Sequence, residues 1–381
     1  MNIGVDIRVL QTALRTGVGE YTYELLRAII AQPGVHHFFL LYDTRFPCPE
    51  DVREWSSRQV HIVGLVWPRK SWLILFHRPY IDECIPKAVF AHTNTTRLDY
   101  FFSPNLHFTA VSPSVKHILM IHDLSFEHFP TCFTWKRRLW HAFVRPRRLS
   151  EQATMIVTPS QYTRQDVMAT YGISPEKIHA IVPGLSDQFV DPPKCSELVR
   201  KKYQLPAKYI FFLGTIEPRK NILGLLEAYR WYRSAYHGTH DPYTLVIAGG
   251  LGWQYTAVRT LMQRMTGVQY IGYVAAADKP TLYQAAAVFV YPSIYEGFGL
   301  PVLEAMACGT PVITTDRSAL PEVVQRAAYL VSPYRIHDMA EGMRQLTTDE
   351  ACAALYRQRG ITRAREFGGW DRAAVDFLAL L

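Results

Sequence analysis

Short, nearly continuous apolar runs recur along the chain, separated by stretches in which apolar positions return every three or four residues. The runs at 2–7, 36–42, 60–65, 99–102, 117–121, 155–158 and 178–182 predict strands in the first half. Those at 208–214, 243–248, 268–272, 287–291, 311–315 and 328–331 predict strands in the second. Runs without strict alternation suit parallel strands covered on both faces. The intervening segments show helical spacing, as with Ile222, Leu225, Leu226 and Tyr229. Alternation of the two patterns predicts an α/β protein with doubly wound, Rossmann-like parallel sheets. Proline and glycine in Val182-Pro183-Gly184-Leu185 and Asp191-Pro192-Pro193-Lys194 predict a hinge. The division is then a domain at 1–190 and a second at 191–365, with 366–381 as a further segment. Open α/β sheets bind ligands beyond the carboxyl ends of their strands, so two facing sheets would bind in the cleft between them.

At 381 residues the chain is long enough for two domains with cores of their own. Only 19% of residues are charged and no low-complexity tract appears, which excludes a disordered class. The first eight residues read as a strand rather than a signal peptide, and no apolar run reaches bilayer-spanning length. The six cysteines are scattered without CxxC spacing and the histidines without an HxxxH pair. Reduced, cytoplasmic thiols and no bound metal are therefore expected.

A formal charge of +8 favours anionic partners. Residues 135–148 hold six cations, Trp135 and Trp140, and no acid; a smaller cluster is Trp67-Pro68-Arg69-Lys70-Ser71-Trp72. Cations interleaved with tryptophan suit the headgroups of an anionic membrane surface. A solvated helix face with packing tryptophans is the alternative. No recognised RNA-binding motif accompanies the charge, so no nucleic-acid partner is expected.

The densest chemistry lies in Tyr295-Glu296-Gly297-Phe298-Gly299-Leu300-Pro301-Val302-Leu303-Glu304. A strand ends just before it, and Pro301 suits a first helical position. The resulting helix N-terminus favours anions, while Glu296 and Glu304 can grip hydroxyls. Arg219 and Lys220 follow the strand at 208–214, a fork and a point charge apt for a diphosphate, and Asn221 is placed to cap the next helix. Alone, that segment also reads as an ordinary polar strand–helix turn. Thr16-Gly17-Val18-Gly19-Glu20-Tyr21-Thr22 lets backbone approach a ligand, although it lacks the third glycine of a dinucleotide fingerprint. His122, before Asp123, stands at a strand end, where structural and catalytic roles are both open.

Together these segments resemble the retaining GT-B glycosyltransferases of family 4. Glu296 and Glu304 match that family's E-x7-E pair, and 214–221, 304–313, 4–8 and 16–22 match its other motifs in order. The resemblance implies that Arg219 and Lys220 neutralise the departing diphosphate, Glu304 holds the ribose and Glu296 the donor sugar. It implies that backbone N–H groups of Gly297, Phe298, Gly299 and Leu300 contact sugar and phosphate. Gly17 and Gly19 would close over the diphosphate, His122 would lie beside the sugar, and Gly272 and Tyr273 near the base. No cofactor or metal is implied, because the cationic pair replaces the metal, and the leaving phosphate helps to deprotonate the acceptor. The segment 366–381 would pack back on the N-terminal domain. Ala285-Ala286-Ala287 departs from the pattern, where relatives often carry Asp, with an effect expected on packing. The motif style is closest to bacterial polysaccharide mannosyltransferases. That implies a GDP-mannose donor and a glycan or lipid-linked acceptor for lipopolysaccharide O-antigen, on the inner face of the plasma membrane. A UDP-sugar donor, a sugar-nucleotide epimerase and a non-catalytic nucleotide-sugar-binding protein are the alternatives; oligomeric state is unassigned.

Overall fold

The computed structural model describes residues 1–12, 15, 17–66, 80–90, 93, 96–107, 109–235 and 242–381. Thr16 and the basic cluster at 67–72 lie outside these. The chain forms two compact units: one of residues 1–123, 139–183 and 370–381, the other of 124–138 and 184–369.

The first unit is built on a seven-stranded sheet of β1 (Asn2–Asp6), β2 (His37–Asp43), β3 (Val60–Leu65), β4 (Tyr100–Ser103), β5 (Lys116–Met120), β6 (Met155–Thr158) and β7 (Ile178–Ala180). Every pairing is parallel and the order is β3-β2-β1-β4-β5-β6-β7. The central strands β1, β4 and β5 are buried almost throughout, which is why they read as continuous apolar runs, while the outer β3 and β7 are only partly covered. The last helix, Asp371–Leu378, packs in this unit through Ala373, Ala374 and Phe377, with the Phe377 ring 4.7 Å from Phe102.

The second unit holds six parallel strands: β8 (Tyr209–Leu213), β9 (Thr244–Ala248), β10 (Val268–Gly272), β11 (Val288–Tyr291), β12 (Val312–Thr315) and β13 (Tyr329–Val331). Their order is β10-β9-β8-β11-β12-β13. Phe211, Phe212 and Phe289 are fully buried, and burying each such side chain stabilises the sheet by roughly 2 kcal/mol.

All thirteen expected strands form, seven in one sheet and six in the other. In each order the connections leave neighbouring central strands in opposite directions, between β1 and β4 and between β8 and β11. Loops diverge there and leave a crevice at the carboxyl edge, the usual ligand position in doubly wound sheets.

Candidate functional site

The switch point of the second unit gathers the charged residues singled out in the sequence. Residues 217–220 follow β8 and residues 292–299 follow β11, and these two strands pair directly. The loops are tied by backbone: the Ile294 N–H donates to the Arg219 carbonyl at 2.9 Å. Glu296 is then enclosed by cations, with Lys220 Nζ 2.5 Å from Oε1 and an Arg219 Nη 2.9 Å from Oε2. Arg219 also donates to the Tyr295 carbonyl at 2.6 Å and pairs with Glu217 at 2.8 Å. Lys220 Nζ donates to the Tyr291 hydroxyl at 2.6 Å, and the Glu296 N–H donates to Ser318 Oγ at 2.8 Å.

Glu217, Lys220 and Glu296 are buried, so this is a desolvated cluster of two cations and two carboxyl groups. Burial pushes the Glu296 carboxyl up, but Arg219 and Lys220 outweigh it and hold its pKa down at about 2. Glu296 is therefore ionised at neutral pH and holds no proton to give. Burial draws the Lys220 ammonium below its usual value, opposed by the Glu296 charge. The Tyr291 phenol is raised by burial and by Glu296, so it stays protonated.

The helix Leu300–Ala307 begins after Gly299, whose φ of +118° favours glycine. Helix onset at Leu300 makes Pro301 its second residue rather than its first; proline tolerates either, since neither N–H has an intrahelical partner. Gly297, Phe298 and Gly299 are buried, and the Phe298 ring packs on Phe367 at 5.8 Å. Glu304 lies within the helix, held by the Tyr283 hydroxyl at 2.8 Å and facing Lys279 at 3.6 Å. Asn221 does not cap its helix with its side chain. It adopts a left-handed conformation (φ 54°), and its amide donates to the Pro333 carbonyl at 2.8 Å. Left-handed backbone is what an asparagine tolerates best after glycine, and that preference prevails over capping here. Gly272 has φ +74° and its carbonyl accepts from Gly249 N–H at 2.7 Å, while Tyr273 is exposed. Ala286, in the departing alanine run, is buried.

In the first unit, Gly17 and Gly19 are already in the opening turn of the helix Gly17–Ala31. A Cβ on Gly17 would meet nothing within 4 Å, so packing in this unit does not demand glycine there. His122 stands just beyond β5, half-buried, with Nε2 2.8 Å from the Pro104 carbonyl and its ring edge-to-face with Tyr21 at 5.1 Å. A carbonyl only accepts, so Nε2 carries the proton. Burial lowers the pKa despite Pro104 and Asp123, so the ring is neutral and Nδ1 is an acceptor.

The structure thus brings Arg219, Lys220 and Glu296 into one contact network and gives Glu304 a separate one. Sequence reading missed Glu217, Tyr283, Tyr291 and Ser318 as their partners. Tyr291 lies 71 residues from Lys220 and Ser318 lies 22 from Glu296, so no local spacing announces them. Among the described residues no group of three His, Cys, Asp or Glu side chains is placed to hold a metal ion.

Comparison with known proteins identifies the family and the fold. The family model for glycosyl transferases group 1 matches residues 196–367, and that for glycosyltransferase family 4 matches residues 15–189. O-antigen chain mannosyltransferase B of Escherichia coli is 35% identical over 386 residues, 95% of this chain and 94% of that protein. Sucrose-phosphate synthase of Thermosynechococcus elongatus aligns with a TM-score of 0.72 at 20% identity, over 100% of this chain and 98% of its own. Anabaena HepE, solved with UDP-glucose, aligns with a TM-score of 0.69 at 16% identity, over 100% of both chains. These two likenesses show the fold. The chain belongs to glycosyltransferase family 4 and has the two Rossmann-like sheets of the GT-B fold.

Proposed function

We propose that this glycosyltransferase moves mannose from GDP-mannose, with retention of configuration, to a glycan or lipid-linked acceptor of bacterial surface polysaccharide. The observation that carries the chemistry is the buried Arg219–Lys220–Glu296 network at the β8/β11 switch point. The likeness to an O-antigen mannosyltransferase over nearly the whole chain supports the sugar and the acceptor class.

Cleaving the bond between sugar and diphosphate builds negative charge on the departing phosphate. Arg219 and Lys220 neutralise that charge, and a fixed, desolvated pair does so with little reorganisation. Glu296, ionised and acceptor-only, holds donor-sugar hydroxyls, and Glu304 holds the ribose diol. Neither is needed as an acid or base. The leaving phosphate takes the acceptor proton on the same face of the sugar, which retains configuration. Backbone N–H groups of residues 297–300 bind sugar and phosphate, and the backbone about Gly272 and Tyr273 holds the base. In the first unit, Gly17 and Gly19 take the diphosphate role and His122 accepts a sugar hydroxyl at Nδ1. Direct competition among GDP-mannose, UDP-glucose and UDP-N-acetylglucosamine tests the donor. Transfer from a UDP-sugar alone would reject GDP-mannose.

We further place the enzyme at the cytoplasmic membrane face. No helix among the described residues is long and apolar enough to cross a membrane. The helix Trp135–Val144 instead exposes Trp135, Leu139 and Phe143, spaced four apart on one face, beside exposed Lys136 and Arg138. An apolar stripe flanked by cations fits the headgroup region of an anionic leaflet.

A further inference from the structure

A cavity of 490 Å³ lies wholly within the first unit, away from the strand edge that carries His122. It is a crevice between the chain at 109–115 and the corner where the helix Trp135–Val144 meets the helix Pro146–Gln152. His117, the second residue of β5, and Thr154, just ahead of β6, contribute to its lining at the amino ends of those strands. His122 is five residues further along, roughly 16 Å at the rise of a strand.

The lining is two-natured. Arg145 and Arg148 are exposed at it, hydroxyls come from Ser112 and Thr154, and Phe143 and Leu149 are among its apolar groups. Among the described residues no Asp or Glu lines it. Among the described residues, neither guanidinium has an ion-pair or hydrogen-bond partner, unlike neighbouring Arg147, which donates to the Thr170 carbonyl at 2.7 Å. Arg145 is also held at φ 54°, ψ 64°, a conformation costly for a long side chain, directly before Pro146. Strain of this kind persists where the surroundings enforce it and clusters at ligand sites. His117 contributes no charge of its own: burial lowers its pKa to about 4, and its ring bonds Ser103 at 2.9 Å. The positive charge of the crevice therefore rests on two unpaired forks beside an apolar wall.

We infer that this crevice binds an amphiphilic organophosphate, with the phosphate or diphosphate on Arg145 and Arg148 and an apolar chain against Phe143 and Leu149. Two guanidinium groups suit the bidentate geometry of phosphate oxygens, and the volume lies within the range of small-molecule sites. The inference does not depend on the identity of the sugar donor.

The test is calorimetric titration of the full chain with geranyl diphosphate, in the presence of saturating GDP to occupy any nucleotide site. Binding is expected, with affinity reduced roughly tenfold or more by Arg145→Asn with Arg148→Gln, the loss of charge-assisted bonds to phosphate. Asparagine is chosen at 145 because it tolerates the left-handed backbone. Gln152→Trp, which puts a larger side chain at an exposed lining position, should weaken binding with the melting temperature unchanged. Should the double variant fail to fold, Arg148→Gln alone carries the comparison. Equal affinity in the variants, displacement by GDP, or inorganic pyrophosphate or geraniol binding as tightly as geranyl diphosphate would each overturn the assignment.

Discussion

Glu296 sits 2.5 Å from Lys220 and 2.9 Å from Arg219, so it completes a buried charge cluster, and it is also the residue we propose to grip the donor sugar. The two roles separate in Glu296→Gln. Turnover should fall at least about a hundredfold, the scale of losing a charged contact made in the transition state. Affinity for GDP, measured calorimetrically, should hold or rise, because the cations lose a competitor for the diphosphate. Stability should drop by about 3 kcal/mol at neutral pH, since a buried cation loses its partner. The pH dependence has a definite sign. The folded pKa of about 2 lies below the ordinary 4.5, so the ionised carboxylate contributes stability fully above 4.5, lost as pH falls toward 2. That span corresponds to about 3 kcal/mol. Urea unfolding of wild type and Glu296→Gln should therefore converge below pH 4.5; a constant gap would mean Glu296 is not held ionised by the cluster.

At the scale of elements, the strands were legible because parallel strands covered on both faces leave unbroken apolar runs, as Tyr209–Leu213 does. Arg219, Lys220 and Glu296 were legible as strand-end residues for the same reason. What holds them was not. The Tyr283 phenol on Glu304 and the Tyr291 phenol beside Lys220 are contacts made by the fold, and a tyrosine in an apolar run gives no sign of its partner. Asn221 misled because asparagine favours both helix caps and left-handed turns. Gly249 passed unnoticed, although at φ +131° a Cβ there would lie 1.9 Å from the Gly214 carbonyl oxygen. The turn after β9 presses on the end of β8 only because that atom is absent. Gly249→Ala should cost about 3 kcal/mol or more by thermal or denaturant unfolding, combining backbone strain with a backbone clash. A loss under 1 kcal/mol would show that the turn relaxes freely.

At the scale of the whole molecule, the chain passes between its two units after residues 123, 138, 183 and 369, so neither unit is a single stretch of sequence. The exposed face of Trp135–Val144 bears on where the enzyme works. Within that helix Arg137 stacks on the Trp253 ring at 3.9 Å, whereas Lys136, over the Trp135 ring at 5.7 Å, and Arg138 stand exposed beside the stripe and are the cations to change. Serine at Trp135, Leu139 and Phe143 should abolish sedimentation with vesicles rich in anionic phospholipid. Lys136→Ser with Arg138→Ser should reduce it and flatten its salt dependence. Unaltered sedimentation in both variants would reject this face.

Retaining mannosyl transfer from GDP-mannose can be read by proton NMR of the reaction with membrane-extracted acceptor. The account predicts GDP release matched by a new α-mannosyl anomeric signal on the acceptor, present with the wild-type enzyme and lost with Glu296→Gln. A β-anomeric product, or conversion of GDP-mannose to another nucleotide sugar with acceptor omitted, would contradict it.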